Sequence, residues 1–392
     1  MRSDALSTWK AELKKGLRAL EERSQLRSLA EIQGVNFCSN DYLGLAEHPE
    51  LRALVVQAVE RAQRVGGTGS RLLSGQVEAW RQLEEEFAKF AGTESALFFG
   101  SGYAANVGLL SSLVGKDDVV YSDELNHASL IDGLRLSGAR KVIYPHVDLN
   151  ALEESLREEV GAPWRKVIVT ESVFSMDGDV APLAQIAEIA NKYSAAIIVD
   201  EAHATAVHGP GGRGVAADAR IEPQTLAVMH ACGKALGSAG AFVCGPAVLK
   251  EHLINHARTF IFSTALPPYF AKQVGAALRI ASGMEQERRE LAQRALRFTS
   301  SLQAQGFDVG GSTSQIVPVV LGKNEDTVNA AEHLQRDGFA VRAIRPPTVP
   351  EGRARLRLSL TIKIPESELN RLVNSLVSWR ARRQVPSVVQ SR

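Results

Sequence analysis

The feature that most constrains this chain is an alternation, between about residues 50 and 265, of short apolar runs with helical patterns. The runs occupy 96–99, 119–122, 167–170, 196–199, 226–229 and 241–244. Four-residue apolar runs separated by helix-forming segments imply an α/β fold with a mainly parallel sheet covered on both faces. Leu183, Ile186, Ile189 and Ala190 supply one apolar helix face between two of the runs. In such a sheet ligands lie outside the carboxyl ends of the strands. Several runs end there on polar or glycine residues: Ser122-Asp123, Thr170-Glu171, Asp200-Glu201, and the Gly233-Lys234 stretch after Met229.

Beyond Pro267-Pro268 the pattern changes. A long helical stretch through about Gln305 is followed by a strand at 316–320, a helix over 327–337 and the alternating Arg355-Leu-Arg-Leu-Ser-Leu360. This predicts a smaller C-terminal α+β domain whose last strand buries one face. The expected division is an N-terminal helix and arm over 1–50, a large domain over 51–280 and a small domain over 281–392. Trp9, Leu13, Leu17 and Leu20 recur at helical spacing, which predicts an amphipathic helix that docks on another surface. The tail from Arg380 is expected to fray or dock loosely.

Charge and cysteine content narrow the function. Lys plus Arg number 45 against 44 Asp plus Glu, so no net field draws the chain to nucleic acid or an anionic membrane. The uncharged stretch 95–115 is long enough to span a bilayer, but four glycines and several serines dilute it, and it reads as a strand turning into a helix. Cys38, Cys232 and Cys244 have no metal-ligand or disulfide spacing, so no metal is expected and a reducing cytoplasm is the simplest compartment.

The tetrapeptide Asp200-Glu-Ala-His203 spells a helicase box, yet Cys232-Gly-Lys-Ala235 has alanine where a phosphate loop needs a metal-binding hydroxyl. A different chemistry suits the same residues. Asp200 closes an apolar strand, where a buried carboxylate needs a cationic partner. Lys234 lies in a loop of small residues just after the strand that follows. Pyridoxal phosphate requires a lysine for an imine, a carboxylate for its pyridine nitrogen and donors for its phosphate. The turn Phe99-Gly-Ser101-Gly102-Tyr103 offers backbone N–H groups at a helix start, and His127 follows another strand. An isolated strand-end Asp can equally cap a helix or pair with a base, and an isolated His can cap a helix.

These pieces, in this order, resemble the fold-type I pyridoxal-phosphate enzymes, and within them the α-oxoamine synthases. The resemblance covers nearly the whole chain: Ser39-Asn-Asp-Tyr-Leu-Gly-Leu45, Gly66-Gly-Thr-Gly-Ser-Arg71, the 123–129 and 171–179 segments, Asp200-Glu-Ala-His203, Gly233-Lys234, the 260–268 segment and Ala343-Ile-Arg-Pro-Pro-Thr-Val-Pro350. It implies a PLP-dependent acyltransferase that joins an amino acid to an acyl thioester with loss of carbon dioxide and free thiol. The 343–360 region is most similar to the branch that joins L-alanine to a pimeloyl thioester, carried by coenzyme A or an acyl carrier protein, in biotin formation. Glycine C-acetyltransferase and a fold-type I aminotransferase are the alternatives.

Carried over by position, the resemblance makes Lys234 the imine lysine and base, and Asp200 the partner of the ring nitrogen. His203 and Ser175 are placed near the ring hydroxyl, and His127 against the ring. Ser101, Gly102 and Tyr103 form the phosphate turn. Thr264 reaches the phosphate across the interface of a homodimer with shared sites. Arg357, aided by Asn40, takes the substrate carboxylate, and Arg345 or Arg27 the distal carboxylate of the acyl chain. Ala231 departs from the pattern, because many relatives carry a threonine there that donates to the phosphate; His230, next to it, is expected on the opposite face of the strand.

Overall fold

The computed structural model describes residues 4–29, 31 and 33–384. Its strands are β1 (Val35–Asn36), β2 (Ser95–Phe99), β3 (Asp118–Asp123), β4 (Arg140–Tyr144), β5 (Arg165–Glu171), β6 (Ala195–Asp200), β7 (Thr225–Ala231), β8 (Ala241–Gly245), β9 (Ile316–Gly322), β10 (Phe339–Ala340), β11 (Ala343–Ile344) and β12 (Ala354–Ser359). Seven of them form a sheet in the order β2-β8-β7-β6-β5-β3-β4. Pairing is parallel from β4 through β3, β5 and β6 to β7, while β8 runs antiparallel to both of its neighbours.

Strand alternation divides the interior into two apolar layers, one on each face of this sheet. Phe98, Ile197, Val199 and Phe242 enter one layer. Leu97, Phe99, Ile198 and Val243 enter the other. The helix Leu183–Lys192 buries Leu183, Ile186, Ala187 and Ala190, which is the expected face. Strand β4 has no counterpart among the apolar runs, because it is an edge strand with Arg140, Lys141 and Ile143 exposed.

A three-stranded sheet, β11-β12-β9, is antiparallel throughout. Three features here depart from the sequence reading. The long helical stretch is two helices, Tyr269–Gly283 and Glu285–Ala304, broken at Met284. All six residues of β12 are buried, so its arginine face is not a solvent face. That face turns inward because Arg355 and Arg357 find carbonyl and side-chain acceptors on the 175–177 loop and on Asn40. Last, the final helix continues through Gln384, with Arg380 donating to the Gln305 and Gly306 carbonyls, so this part is docked. Residues 385–392 of the expected tail lie outside the described residues.

The N-terminal helix Ala5–Glu22 has the expected apolar stripe, but Leu6, Trp9, Leu13 and Leu17 are all exposed in the single chain. Among the described residues no helix is long and apolar enough to cross a membrane; the 95–115 stretch forms β2 and the helix Gly102–Leu113.

Candidate active site

The carboxyl ends of β5, β6 and β7 meet around a cavity of about 400 Å³ lined by Ser101, Gly102, Tyr103, Asn106, His127, Glu171, Asp200, His203, Ala231 and Lys234 among others. Register explains the gathering, since Glu171 pairs with Asp200 and Asp200 with Met229, so one layer of strand ends faces the opening. Asp200 Oδ1 accepts from Ala202 N–H at 2.8 Å and Oδ2 from Asn106 Nδ2 at 2.7 Å. Each oxygen therefore keeps a lone pair for a further donor.

Lys234 stands in the turn between β7 and β8, with Nζ 2.8 Å from His203 Nε2. The small residues of its loop serve close approaches on two sides, since Gly233, Ser238, Ala239 and Gly240 line the cavity while Gly237 packs against protein. Gly237 has φ 52°, and a Cβ there would fall 2.4 Å from Ala46 N. Burial pushes the Lys234 amine down to about 8, against the opposing pull of Asp200 and Glu171 and with added repulsion from Arg357. His203 is held far below the usual imidazole range, first by burial and then by the Lys234 and Arg357 charges.

A neutral His203 accepting from the Lys234 ammonium must carry its hydrogen on Nδ1, which lies 2.6 Å from Tyr42 Oη. The Tyr42 hydroxyl then donates to Asn40 Oδ1 at 3.1 Å, and Arg357 Nη1 donates to the same oxygen at 3.0 Å. One hydrogen-bonded row thus runs from Lys234 to Arg357. Arg357 is 8% exposed, and its Nε donates to the Ser175 carbonyl.

At the other end Ser101 caps the helix Gly102–Leu113, its Oγ accepting from Ala104 N–H and its carbonyl from Ala105 N–H. The N–H groups of Gly102 and Tyr103 precede the helical ladder and border the cavity, as an anion site requires. Ala231 sits beside this turn, its Cβ 3.9 Å from where a Cβ on Gly102 would lie. His230 is on the opposite face, bonded to Thr205 and packed edge-on against Phe87.

Not every expected residue is brought together. Ser175 lines a neighbouring cavity of about 490 Å³, which shares His127 with the first and is closed by Met176, Asp177 and the Pro347–Pro350 stretch. Arg27 bonds to Thr348 Oγ1 at 3.0 Å on the rim of that second cavity, and Arg345 donates to the Ser24 and Leu26 carbonyls. Burial, then the nearby Arg27 charge, draws the Arg345 guanidinium below its usual range. Thr264 is exposed, bridges to Ser70 and lines neither of these cavities in the single chain.

The aminotransferase class I and II family model matches residues 32–376. An 8-amino-7-oxononanoate synthase from Geobacter sulfurreducens is 47% identical over 375 residues, covering 92% of this chain and 95% of that one. The chain belongs to this family, in its 8-amino-7-oxononanoate synthase branch. A solved 8-amino-7-oxononanoate synthase from Francisella tularensis has a TM-score of 0.78 at 30% identity, with 90% of this chain and 99% of that one covered. A serine palmitoyltransferase from S. paucimobilis, solved with PLP joined to myriocin, has a TM-score of 0.88 at 28% identity over 98% and 100% of the two chains.

Glu171, Ser238 and Asn106 line this family member's cavity, and Tyr42 bonds to its His203, without a role assigned from the sequence. Glu171 is buried beside Asp200, and burial followed by the Asp200 charge raises its carboxyl well above the usual range. Its Oε1 has no partner, and neither does Ser238 Oγ on the cavity wall; both are polar atoms left for a ligand. Tyr42 lay within a quoted motif but had no assigned role. Asn106 was readable only as a polar interruption in the uncharged 95–115 stretch, and that interruption is the signal that could have found it.

Proposed function

We propose that this chain binds pyridoxal phosphate in the Asp200–Lys234 cavity and condenses L-alanine with a pimeloyl thioester, giving 8-amino-7-oxononanoate for biotin formation. The observation that carries the reading is the Lys234–His203–Tyr42–Asn40–Arg357 row, which links an amine of lowered proton affinity to a buried guanidinium within one site. The 47% identity to a curated 8-amino-7-oxononanoate synthase supports the substrate pair.

The residues present fit the cofactor. Gly102 and Tyr103 N–H groups and Ser101 would hold the phosphate, Asp200 the ring nitrogen, His203 the ring hydroxyl and His127 the ring face. Once bound, the cofactor supplies an electron sink for negative charge at the substrate α-carbon. Lys234 takes the α-proton, a task suited to an amine near pKa 8. Arg357 and Asn40 hold the amino acid carboxylate by charge-assisted hydrogen bonds. Met176, Val349 and Ile131 wall the neighbouring cavity, which would take the acyl chain, and either Arg27, bonded to Thr348 on its rim, or Arg345 would meet the distal carboxylate. His127 is common to both cavities, which supports a role for it beside the joining of the thioester carbonyl to the α-carbon.

The reaction balances: a C–C bond forms between the α-carbon and the thioester carbonyl, and the C–S bond breaks. The carboxylate leaves as carbon dioxide, the α-carbon regains a proton, and the thiol takes one from solvent. We also infer a homodimer, because the apolar stripe of the N-terminal helix is uncovered and Thr264 stands away from the cavity it is expected to serve. The experiment is thiol release with pyridoxal phosphate present, comparing alanine, glycine and serine against pimeloyl, acetyl and palmitoyl thioesters. Highest turnover with alanine and the pimeloyl donor is expected; amino transfer to a keto acid without thiol release refutes the proposal.

A further inference from the structure

Asn106 is 1% exposed in the helix Gly102–Leu113, among Ala105, Val107, Leu109 and Leu110. Its amide nitrogen has two hydrogens, and both are used. One goes to Asp200 Oδ2 at 2.7 Å and the other to Ser129 Oγ at 2.9 Å. A serine hydroxyl that accepts from Asn106 still has its own hydrogen to give, and His127 Nδ1 lies 2.8 Å away. The Ser129 N–H points to the same nitrogen at 3.2 Å. With two donors aimed at Nδ1, neutral His127 carries its hydrogen on Nε2.

The direction of this row is fixed at its Asp200 end. Turning the amide over would set Asn106 Oδ1 against a carboxylate oxygen, two acceptors face to face. In the orientation seen, Oδ1 is buried without a partner. An apolar side chain of similar shape would avoid that cost, so helix packing does not call for asparagine here.

We propose that Asn106 is a positioning residue that, through Ser129, ties the orientation of the Asp200 carboxylate to the tautomer and orientation of His127. The inference rests on reading the cavity as a pyridoxal phosphate site. Because Asn106 lies one turn beyond Ser101–Tyr103, the same helix that borders the phosphate position also aligns the carboxylate for the ring nitrogen and the imidazole for the ring face. Other charged groups around Asp200 are Lys234, Glu171 and Glu201, none of which bonds to Asn106.

The test uses the holoenzyme of Asn106→Leu, Ser129→Ala and the double variant. It follows the visible absorbance of the bound cofactor through a pH titration, together with kcat. Asn106→Leu should move the titration midpoint by about one pH unit, a tenfold change in the protonation equilibrium, and lower kcat about 100-fold. Ser129→Ala should leave the midpoint within about 0.2 unit and lower kcat about tenfold, a loss that disappears in the Asn106→Leu background because the row is already broken. Should Asn106→Leu fail to fold, Asn106→Ser carries the same test, with a smaller midpoint shift expected in the same direction. A midpoint unmoved by either Asn106 substitution, or an undiminished Ser129→Ala loss in the double variant, overturns this inference alone. A wild-type protein that takes up no pyridoxal phosphate overturns both this and the cofactor reading.

Discussion

Lys234 Nζ and His203 Nε2 are 2.8 Å apart, and both side chains have been moved toward their neutral forms. Burial is the common cause, since removing water penalises the charged form of either base. An amine that can shed its proton near neutral pH sits beside an imidazole that does not compete for it.

The first prediction concerns that amine. On the proposed reading Lys234 would hold the cofactor through an imine, and its amine, lowered by burial to about 8, becomes available for this as pH rises through that value. Capture of pyridoxal phosphate by the apoprotein, followed by its visible absorbance, should accelerate between about pH 7 and 9 and then level off. Lys234→Ala should abolish that absorbance change and lower kcat at least about 10³-fold. A rate that is flat or falling across the interval, or a variant with ordinary turnover, contradicts the assignment.

Asp200→Asn preserves shape but keeps an acceptor for only one of the two present donors, Ala202 N–H or Asn106 Nδ2, and removes the negative charge that on the proposed reading meets the ring nitrogen. Its electronic role should outweigh its contribution to binding, so kcat should fall about 10²- to 10³-fold while the cofactor Kd rises less than about tenfold. Equilibrium dialysis beside steady-state assay separates the two, and equal losses would count against an electronic role.

Glu171 holds its proton more tightly in the folded state, through burial and the Asp200 charge, than in the unfolded chain. The folded state thus binds more protons, so this residue costs stability as pH rises above the usual carboxylate range. Glu171→Gln should therefore raise Tm of the apoprotein by about 2–4 °C at pH 8 and leave it unchanged near pH 4. A fall of several degrees at pH 8 would mean the site depends on an ionised Glu171.

His146 bridges Asp123 at 2.9 Å and Asp179 at 2.9 Å, tying the end of β3 to the loop that follows Ser175. Burial alone would lower its pKa, but hydrogen bonds and charge from the two carboxylates prevail and lift it to about 10. Its stabilising contribution is complete below the ordinary value of 6.5 and is lost as pH rises toward 10. With solvent screening of a half-buried group, the loss is about 2 kcal/mol. Urea unfolding from pH 6 to about 10 should show this decline in the wild type and a flatter profile in His146→Gln.

Much of the site was legible because its chemistry lies at strand ends. Asp200 and Lys234 stood out by following apolar runs, and Ser101–Tyr103 by a glycine-bearing turn into a helix. Arg357 was placed by resemblance, whereas its local pattern suggested a strand with one exposed face. Glu171 was read as a polar strand end and no more. Its significance depends on lying in register with Asp200, and that pairing follows from sheet order.

By itself the sequence determined which segments are strands in the middle of the sheet, where helices start, and which residues stand at the carboxyl ends, because backbone periodicity and turn chemistry act over a few residues. Only the tertiary structure decided that edge strand β4 exists, that β8 runs antiparallel, that Arg355 and Arg357 face inward, and that Asn106 reaches an aspartate 94 residues away. Those outcomes depend on which strands pair and which buried donors meet acceptors, and a polar group's partner is chosen by proximity in the folded chain.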